Sequence, residues 1–387
     1  MLAFLLARSG VDVIVLEKHA DFFRDFRGDT IHPSTLEIIY ELGLLDEFLA
    51  LPHQEAPRLE GRIGTSTITM ADFSHVPTRC KFIALMPQWD FLNFMSDRAK
   101  RYPSFHLELN AEVNDLIEDN GRVAGVRAQT PTGPLEIRAN LIVGADGRSS
   151  TVRARANLEV EDFGAPIDVL WMRLSRRPSD PDVTFGRIDA GKILVMLNRG
   201  DYWQCAFVIR KGGFAGVQAR GLPAFRASLK ELAPYLDDRP DELGTWDDVK
   251  LLTVKVDRLR RWYRPGLLCI GDAAHAMSPI GGVGVNLAIQ DAVAAANILA
   301  AHLASPIEEG PLAAVQRRRE WPARMTQNMQ VFVQDRVMNR VLDSTQPMRP
   351  PWPVRLLQAL PLLRAIPAYV VGVGFRPEHV RTPDAKV

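Results

Sequence analysis

The sequence of 387 residues contains only three cysteines, Cys80, Cys205 and Cys269. An odd number so widely spaced argues against a disulfide framework and for a reducing compartment. No C-x-x-C or H-E-x-x-H spacing occurs, so no metal site can be read. No uninterrupted apolar run reaches the roughly 18 residues that a bilayer span needs. The nearest, "IPAYVVGVGF", is about half that length and is bracketed by Arg364 and Arg376. Charge of either sign is not in excess: the net charge is +1, which gives no general case for nucleic acid or an anionic membrane. The basic clusters "RLRRWYR" and "QRRRE" therefore read as solvated faces. The apolar "LAFLL" near the start lacks a basic residue ahead of it and is cut short by Arg8, unlike a signal peptide. There is no repeat of solenoid period. What remains is a cytoplasmic protein without a membrane span, 47% hydrophobic and long enough for about two or three domains.

One further absence concerns a motif. "MLAFLLARSG" reads as a helix closed by Gly10, and "VDVIVLE" as a buried strand ending on Glu17. A helix feeding a parallel strand that ends in an acid is the second half of a dinucleotide-binding unit, in which a glycine-rich turn lies about 20 residues earlier. No G-x-G-x-x-G precedes Glu17. Glu17 alone is weak evidence, since many strands end in a solvated acid.

Further along, Ser34 and Glu37 form a capping-box pattern for a helix that Gly43 ends. A polar, less regular stretch runs to about residue 75. "QWDFLNFMSDRAKRY" is an amphipathic helix with Phe91, Leu92 and Met95 on its apolar face. Residues 104–147 alternate apolar and polar, with turns at Asn120-Gly121 and Thr132-Gly133, and read as an antiparallel meander returning to a buried parallel strand at 141–143. Residues 163–262 are strand-rich and punctuated by Pro and Gly, which predicts a separate inserted sheet. "GLLCIGDAAH" then restores a buried parallel strand, followed by an alanine-rich helix over 285–303.

Two of these stretches could carry chemistry. In "IVGADGRSSTVR" a buried strand runs into a tight turn, and Ser149 and Ser150 can cap the helix beyond it. Asp146 sits where a carboxylate could accept bonds from sugar hydroxyls, although Asp-Gly is also plain turn chemistry. "GLLCIGDAAHAMSPIGGVGVNLAIQDA" is more specific. A strand ends in Gly271-Asp272, a loop follows with Pro279, Gly281, Gly282 and Gly284, and a helix begins. The glycines let backbone approach a flat ligand, and the helix end aims roughly half a positive charge at it.

In that order, these stretches resemble the flavoprotein aromatic hydroxylases, the para-hydroxybenzoate hydroxylase family of FAD monooxygenases. The likeness extends to the closing "GVGFRPEHVRT". It implies an α/β fold: a discontinuous, Rossmann-like FAD-binding domain over 1–162 and 263–312, an inserted β-sheet substrate domain over 163–262, and a C-terminal helical segment over 313–387. It also implies that Glu17 binds the adenosine ribose, and that Arg27 and Gln88 contact the flavin. Asp146 would serve FAD and the passing nicotinamide, and Asp272 the ribityl or pyrophosphate region. Gly281, Gly282, Gly284, Val285 and Asn286 would line the isoalloxazine, and Pro279 at the start of the loop would also bind the cofactor. Family members begin with a strand and G-x-G-x-x-G ahead of a helix like "MLAFLLARSG", so about a dozen residues are expected in front of Met1. His275 is given a structural role, as no partner acid for a base is visible.

The implied reaction is a cycle in which NADH or NADPH reduces FAD, O2 forms a flavin C4a-hydroperoxide, and an aromatic or phenolic small molecule is hydroxylated. Two alternatives stand beside it: another FAD-dependent dehydrogenase or reductase, and a non-catalytic flavin-fold protein. The protein is expected to be a monomer or homodimer. Trp171, Met196, Trp203 and Phe207 of the inserted sheet are candidate substrate contacts, with ordinary core packing as the preferred reading.

Overall fold

The computed structural model describes residues 1–23, 30–181 and 185–385. Two short parallel ladders lead into the predicted motifs, and a third, between Phe185–Asp189 and Arg58–Ile63, lies in the larger sheet. Val13–Glu17 pairs with Phe105–Leu109, from Val13↔Phe105 to Glu17↔Leu109. Ile142–Gly144 pairs with Leu267–Cys269, which also takes Tyr263–Arg264 as an antiparallel neighbour. The segment from Phe105 thus joins the parallel sheet and not the expected meander. Asn110, in the left-handed region at φ 56°, breaks the chain between the two. The meander itself starts at Glu112–Asp119 and continues through Arg122–Thr130 and Gly133–Arg138. Its first turn has positive φ at both Asn120 and Gly121, the pairing that matches strand twist. Val13–Glu17 has the composition of a central strand, yet Ile14 is 48% exposed. Among the described residues its ladder has a partner on one side only.

Two helical expectations shift. The second helix is Pro33–Glu41, with His32 at its N-cap and Ser34 already inside it. Proline at the first turn supplies a preset φ and no surplus donor, so it starts the helix without the capping box. Glu37 instead accepts a bond from the Arg79 amide at 2.8 Å. The helix after the glycine loop, Gly284–Leu299, is buried on most sides between the first helix, Leu2–Arg8, and the long helix Glu309–Val333. Its small residues, Ala292 and Ala294 to Ala296, let those neighbours approach. The stretch Ile280–His302 is long and apolar enough to cross a bilayer, but 61% of that window lies inside the fold. Asn286, Gln290 and Asp291 interrupt its apolar run.

A seven-stranded sheet forms the second layer. Its order is Lys250–Leu252, Ile167–Ser175, Tyr202–Arg210, Lys192–Asn198, Phe185–Asp189, Arg58–Ile63 and Ser66–Asp72. The last two come from the stretch read as irregular, whose edge position leaves many polar side chains in water. Gly61 and Gly186 pair there, and a Cβ on Gly61 would come 2.8 Å from the Gly186 carbonyl. One face of the sheet carries Met196, Trp203 and Phe207 against the helix Leu222–Leu232. All three are core residues, as preferred. Trp171 lies on the opposite face, near Met338, Val341 and Leu342 of the C-terminal segment.

Beneath Trp203 lies a buried ion pair. Asp180 accepts from Arg239 at 2.9 Å and from the Trp203 indole at 2.9 Å. Burial would raise the Asp180 pKa, but the bonds from Arg239 and Trp203 outweigh it and lower the value to about 2. A depressed carboxylate contributes stability that is present above its unfolded pKa and lost as pH falls through the folded one. Stability should therefore decline between pH of about 4 and about 2 through this group. Arg239→Leu, which strands a buried carboxylate, should cost about 3–5 kcal/mol in urea unfolding at neutral pH and remove that acid limb.

Candidate functional site

The Asp146 turn and the Asp272 turn follow paired strands and meet. Ile270 donates its amide to the Gly144 carbonyl at 3.0 Å. A Cβ on Gly144 would lie 2.9 Å from Val152 and 3.0 Å from Cys269, so only glycine lets the short helix Thr151–Arg155 pack onto the strand pair. Asp146 accepts from the Ser150 hydroxyl at 2.5 Å and from the Val152 amide at 3.1 Å. Ser150 in turn caps that helix through the Arg153 amide. The carboxylate expected to serve ligands thus also holds its own turn. Arg148 reaches Asp272, Nη2 to Oδ2 at 3.5 Å, while its Nη1 is buried without a partner. Arg153 links the two turns, donating to the Arg148 carbonyl at 2.6 Å and the Ala273 carbonyl at 3.4 Å, and it is fixed by both oxygens of Asp257 at 3.0 and 3.2 Å.

The glycine loop is built around Thr30. Gly281 and Gly282 have φ of 78° and 63°, a conformation that strains other residues. A Cβ on Gly282 would fall 2.4 Å from the Thr30 hydroxyl, which donates to the Gly282 carbonyl at 2.9 Å. Pro279 opens the loop, and the helix begins at Gly284 with Val283 at its N-cap and no side-chain cap. The Asn286 side chain fills all of its bonding capacity. Its oxygen accepts from the His32 amide and the Thr35 hydroxyl, both at 2.8 Å, and its nitrogen donates to the carbonyls of Thr30 and Gly282 at 3.0 and 3.3 Å. Val285 stands next to it in the first turn.

Thr30 also pairs with Leu85, three residues before Gln88 opens the helix Gln88–Ala99. The topology therefore brings the Gln88 segment beside the glycine loop. Glu17 ends the other parallel ladder, its carboxylate accepting from the His19 amide at 2.9 Å. Arg27 lies outside the described residues.

His32 is fully buried, and its Nδ1 contacts the Val371 carbonyl at 2.8 Å while Nε2 has no partner. Burial, only partly opposed by that bond, lowers its pKa to about 4. It is a neutral imidazole that donates through Nδ1.

Reading the sequence missed a set of residues behind the loop. His275 does have a partner acid: its Nε2 lies 2.5 Å from Asp291. Asp291 also accepts from the Gly271 amide at 3.1 Å and from Arg319 Nε at 2.9 Å, all fully buried. Burial would raise the Asp291 pKa, but His275 and Arg319 hold it below the usual carboxylate range. The ground for giving His275 a structural role, the lack of a partner acid, is thus overturned, and the ring is held wholly buried against Asp291. The long helix adds Gln327, whose amide donates to the carbonyls of Asp257 and Ala276 at 2.8 and 3.0 Å. Gln330 donates to Ser278 and Ile280, both at 2.9 Å, and Gln334 to the Ser278 hydroxyl at 2.6 Å. The available signal was spacing: Arg319, Gln327, Gln330 and Gln334 fall on the face that also carries buried Leu312, Val315 and Ala323.

The residues present fit a flat, anionic cofactor. A Cβ on Gly284 would meet only Asp272, at 4.0 Å, so the start of an uncapped helix is open to close approach. The partnerless Arg148 Nη1 offers a donor beside it. Among the described residues no group of three or more His, Cys, Asp or Glu could hold a metal ion.

A family model described as "FAD binding domain" matches residues 1–329. The chain is 33% identical over 344 residues to the 6-methylpretetramide 4-monooxygenase of Streptomyces rimosus, covering 87% of this chain and 81% of that one. It is 26% identical to the uncharacterized aromatic compound monooxygenase YhjG of Bacillus subtilis (strain 168), covering 76% of this chain and 57% of that protein's length. Its fold is similar to that of pqsL, a probable FAD-dependent monooxygenase from Pseudomonas aeruginosa, with a TM-score of 0.74, 23% identity, and coverage of 88% and 93% of the two chains.

Two expectations test this geometry. Gly282→Ala should abolish retention of FAD through gel filtration while leaving far-ultraviolet circular dichroism intact, and Gln330→Leu should weaken retention by freeing two carbonyls. Stability should fall as pH drops from about 6.5 to about 4, at up to about 1.4 kcal/mol per pH unit, because the unfolded chain protonates His32 and the folded one does not. His32→Asn, which can still donate to Val371, should flatten that limb in urea titrations.

Proposed function

The chain belongs to the FAD-binding domain family, and from that membership we propose that it is an FAD-dependent monooxygenase. It would use NADH or NADPH and O2 to hydroxylate an aromatic or phenolic small molecule. The observation that carries the reading is the glycine loop ending in an uncapped helix start, with Asp272 and Arg148 alongside. Bound FAD would supply the redox chemistry, accepting a hydride and activating dioxygen.

The chain's own residues are assigned binding and orientation. Glu17, Arg27, Gln88, Asp146 and Asp272 would hold the ribose, ribityl and phosphate portions. The segment from Pro279 through Gly281, Gly282 and Gly284 to Val285 and Asn286 would line the ring. Donors at the helix start would favour negative charge developing on the ring edge, at a site where no reorganisation is needed. Side-chain nucleophiles play no part in this reading, in keeping with three buried cysteines whose pKa values burial raises. The substrate would be a small molecule and the setting cytoplasmic, with the chain acting as a monomer or homodimer.

The relatives' names support this chemistry: both curated ones given above are monooxygenases. The test is an assay of FAD-loaded protein with NAD(P)H, phenolic compounds and isotopically heavy dioxygen. The expected outcome is heavy oxygen in the product and NAD(P)H consumption that stops without O2. Consumption that continues under nitrogen with another electron acceptor would assign the site to a dehydrogenase or reductase.

A further inference from the structure

We propose that the helical hairpin near the C-terminus docks this protein on an anionic lipid bilayer surface. The hairpin comprises Trp352–Ala359, the turn Pro361–Arg364, and Ala365–Gly372. Its halves bend by 116° at the break, which suits lying along a surface and not crossing it. The outward face is apolar to an unusual degree for so short a segment. Trp352 is 69% exposed, Leu360 51%, Leu362 76% and Ile366 61%, with Leu356 and Tyr369 both at 42%. Trp352, Leu356 and Leu360 are four residues apart, and Leu362, Ile366 and Tyr369 four and three apart, so each half presents one stripe.

This face is held in place and is not a loose tail. The Gln358 side chain pairs with the edge strand Ser66–Asp72, accepting from the Thr69 amide at 3.2 Å and donating to its carbonyl at 3.0 Å. That is the bonding another strand would provide, so the sheet edge is closed by a side chain. Arg364 donates to the Leu357 carbonyl at 2.9 Å and ties the two halves together. Ala368 is fully buried, and a Cβ on Gly372 would come 2.9 Å from Phe73. The inner side is thus spent on packing, and the apolar stripes point away from it.

Charge selects the occupant. No Asp or Glu occurs between Asp343 and Glu378, whereas Arg349, Arg355, Arg364 and Arg376 do, and Arg349 and Arg355 are exposed. Tryptophan and leucine on one side with arginines around them are the composition of an interfacial helix. A two-fold dimer through this face would set it against its own copy and bring like charges together. An anionic leaflet offers both an apolar layer and the complementary sign. This docking is independent of the reaction proposed above.

The experiment is flotation of the purified full chain, with FAD present, on vesicles of equal parts phosphatidylcholine and phosphatidylglycerol, and on phosphatidylcholine alone. The variants are Trp352→Ser/Leu362→Ser/Ile366→Ser and Arg349→Gln/Arg355→Gln, all at exposed positions. Wild type should float with the anionic vesicles and less with the neutral ones. The serine triple should reduce partitioning at least about tenfold, and the glutamine pair should lower it and blunt its salt dependence. Circular dichroism should match wild type in both. No flotation of wild type, or equal flotation of the serine triple, would overturn the proposal. So would absent flotation with a dimer that the triple converts to monomer, which would give the face to a second copy.

Discussion

The carboxylate of Asp291 is the group on which the site's architecture depends. It sits on the helix that the glycine loop feeds, is wholly buried, and gathers the Gly271 amide, His275 and Arg319. Each of these belongs to a different part of the chain: the turn after a parallel strand, the loop beyond it, and the long C-terminal helix. A buried carboxylate is tolerable only when its oxygens are bonded and its charge is compensated, so the four elements must arrive together. Arg319 continues outward to Glu378 at 3.2 Å, and Glu378 to Arg318 at 2.6 Å, which draws the closing segment onto the same centre.

From this centre the loop, whose Met277 and Val283 join the apolar core, is also held from two sides by side-chain amides. Behind it, Gln327, Gln330 and Gln334 satisfy carbonyls and a hydroxyl of residues 257–280. In front, Asn286 and Thr30 fasten it to the segment that leads into His32. Such a loop cannot form ordinary helix or sheet ladders, yet its backbone groups are buried and require partners. Side-chain amides supply them at fixed angles, leaving the amides of the helix start as the unspent donors. That is how a loop without regular structure becomes a rigid cradle.

Much of this was legible in the residues. The "GADGRSSTVR" and "GDAAHAMSPIGGVGVNLAIQDA" stretches announced strand, turn and helix in the order the fold displays, and Ser150 does cap its helix. The Asn120-Gly121 turn and the opening of a helix at Gln88 were equally plain. Less legible was anything set by a distant partner. The strand Arg58–Ile63 finds one of its partners, Phe185–Asp189, more than a hundred residues away, and Ser66–Asp72 pairs with Arg58–Ile63 as the edge strand, so neither place in the sheet is set locally. The Ser34–Glu37 box failed for a similar reason: Glu37 was claimed by the Arg79 amide.

Local physics therefore settled what the sequence could determine alone. Periodicity, turn chemistry and glycine placement gave the strand–turn–helix order and the position of the loop, because those depend on neighbours within a few residues, while the α/β class came from the family resemblance. Tertiary structure alone decided which polar groups end up buried together. Nothing local distinguishes Asp291 from a solvated helix acid, or Gln330 from a surface glutamine. Their roles depend on partners twenty to sixty residues away, Gly271 and Arg319 for one and Ser278 and Ile280 for the other, which only the folded chain brings within bonding distance.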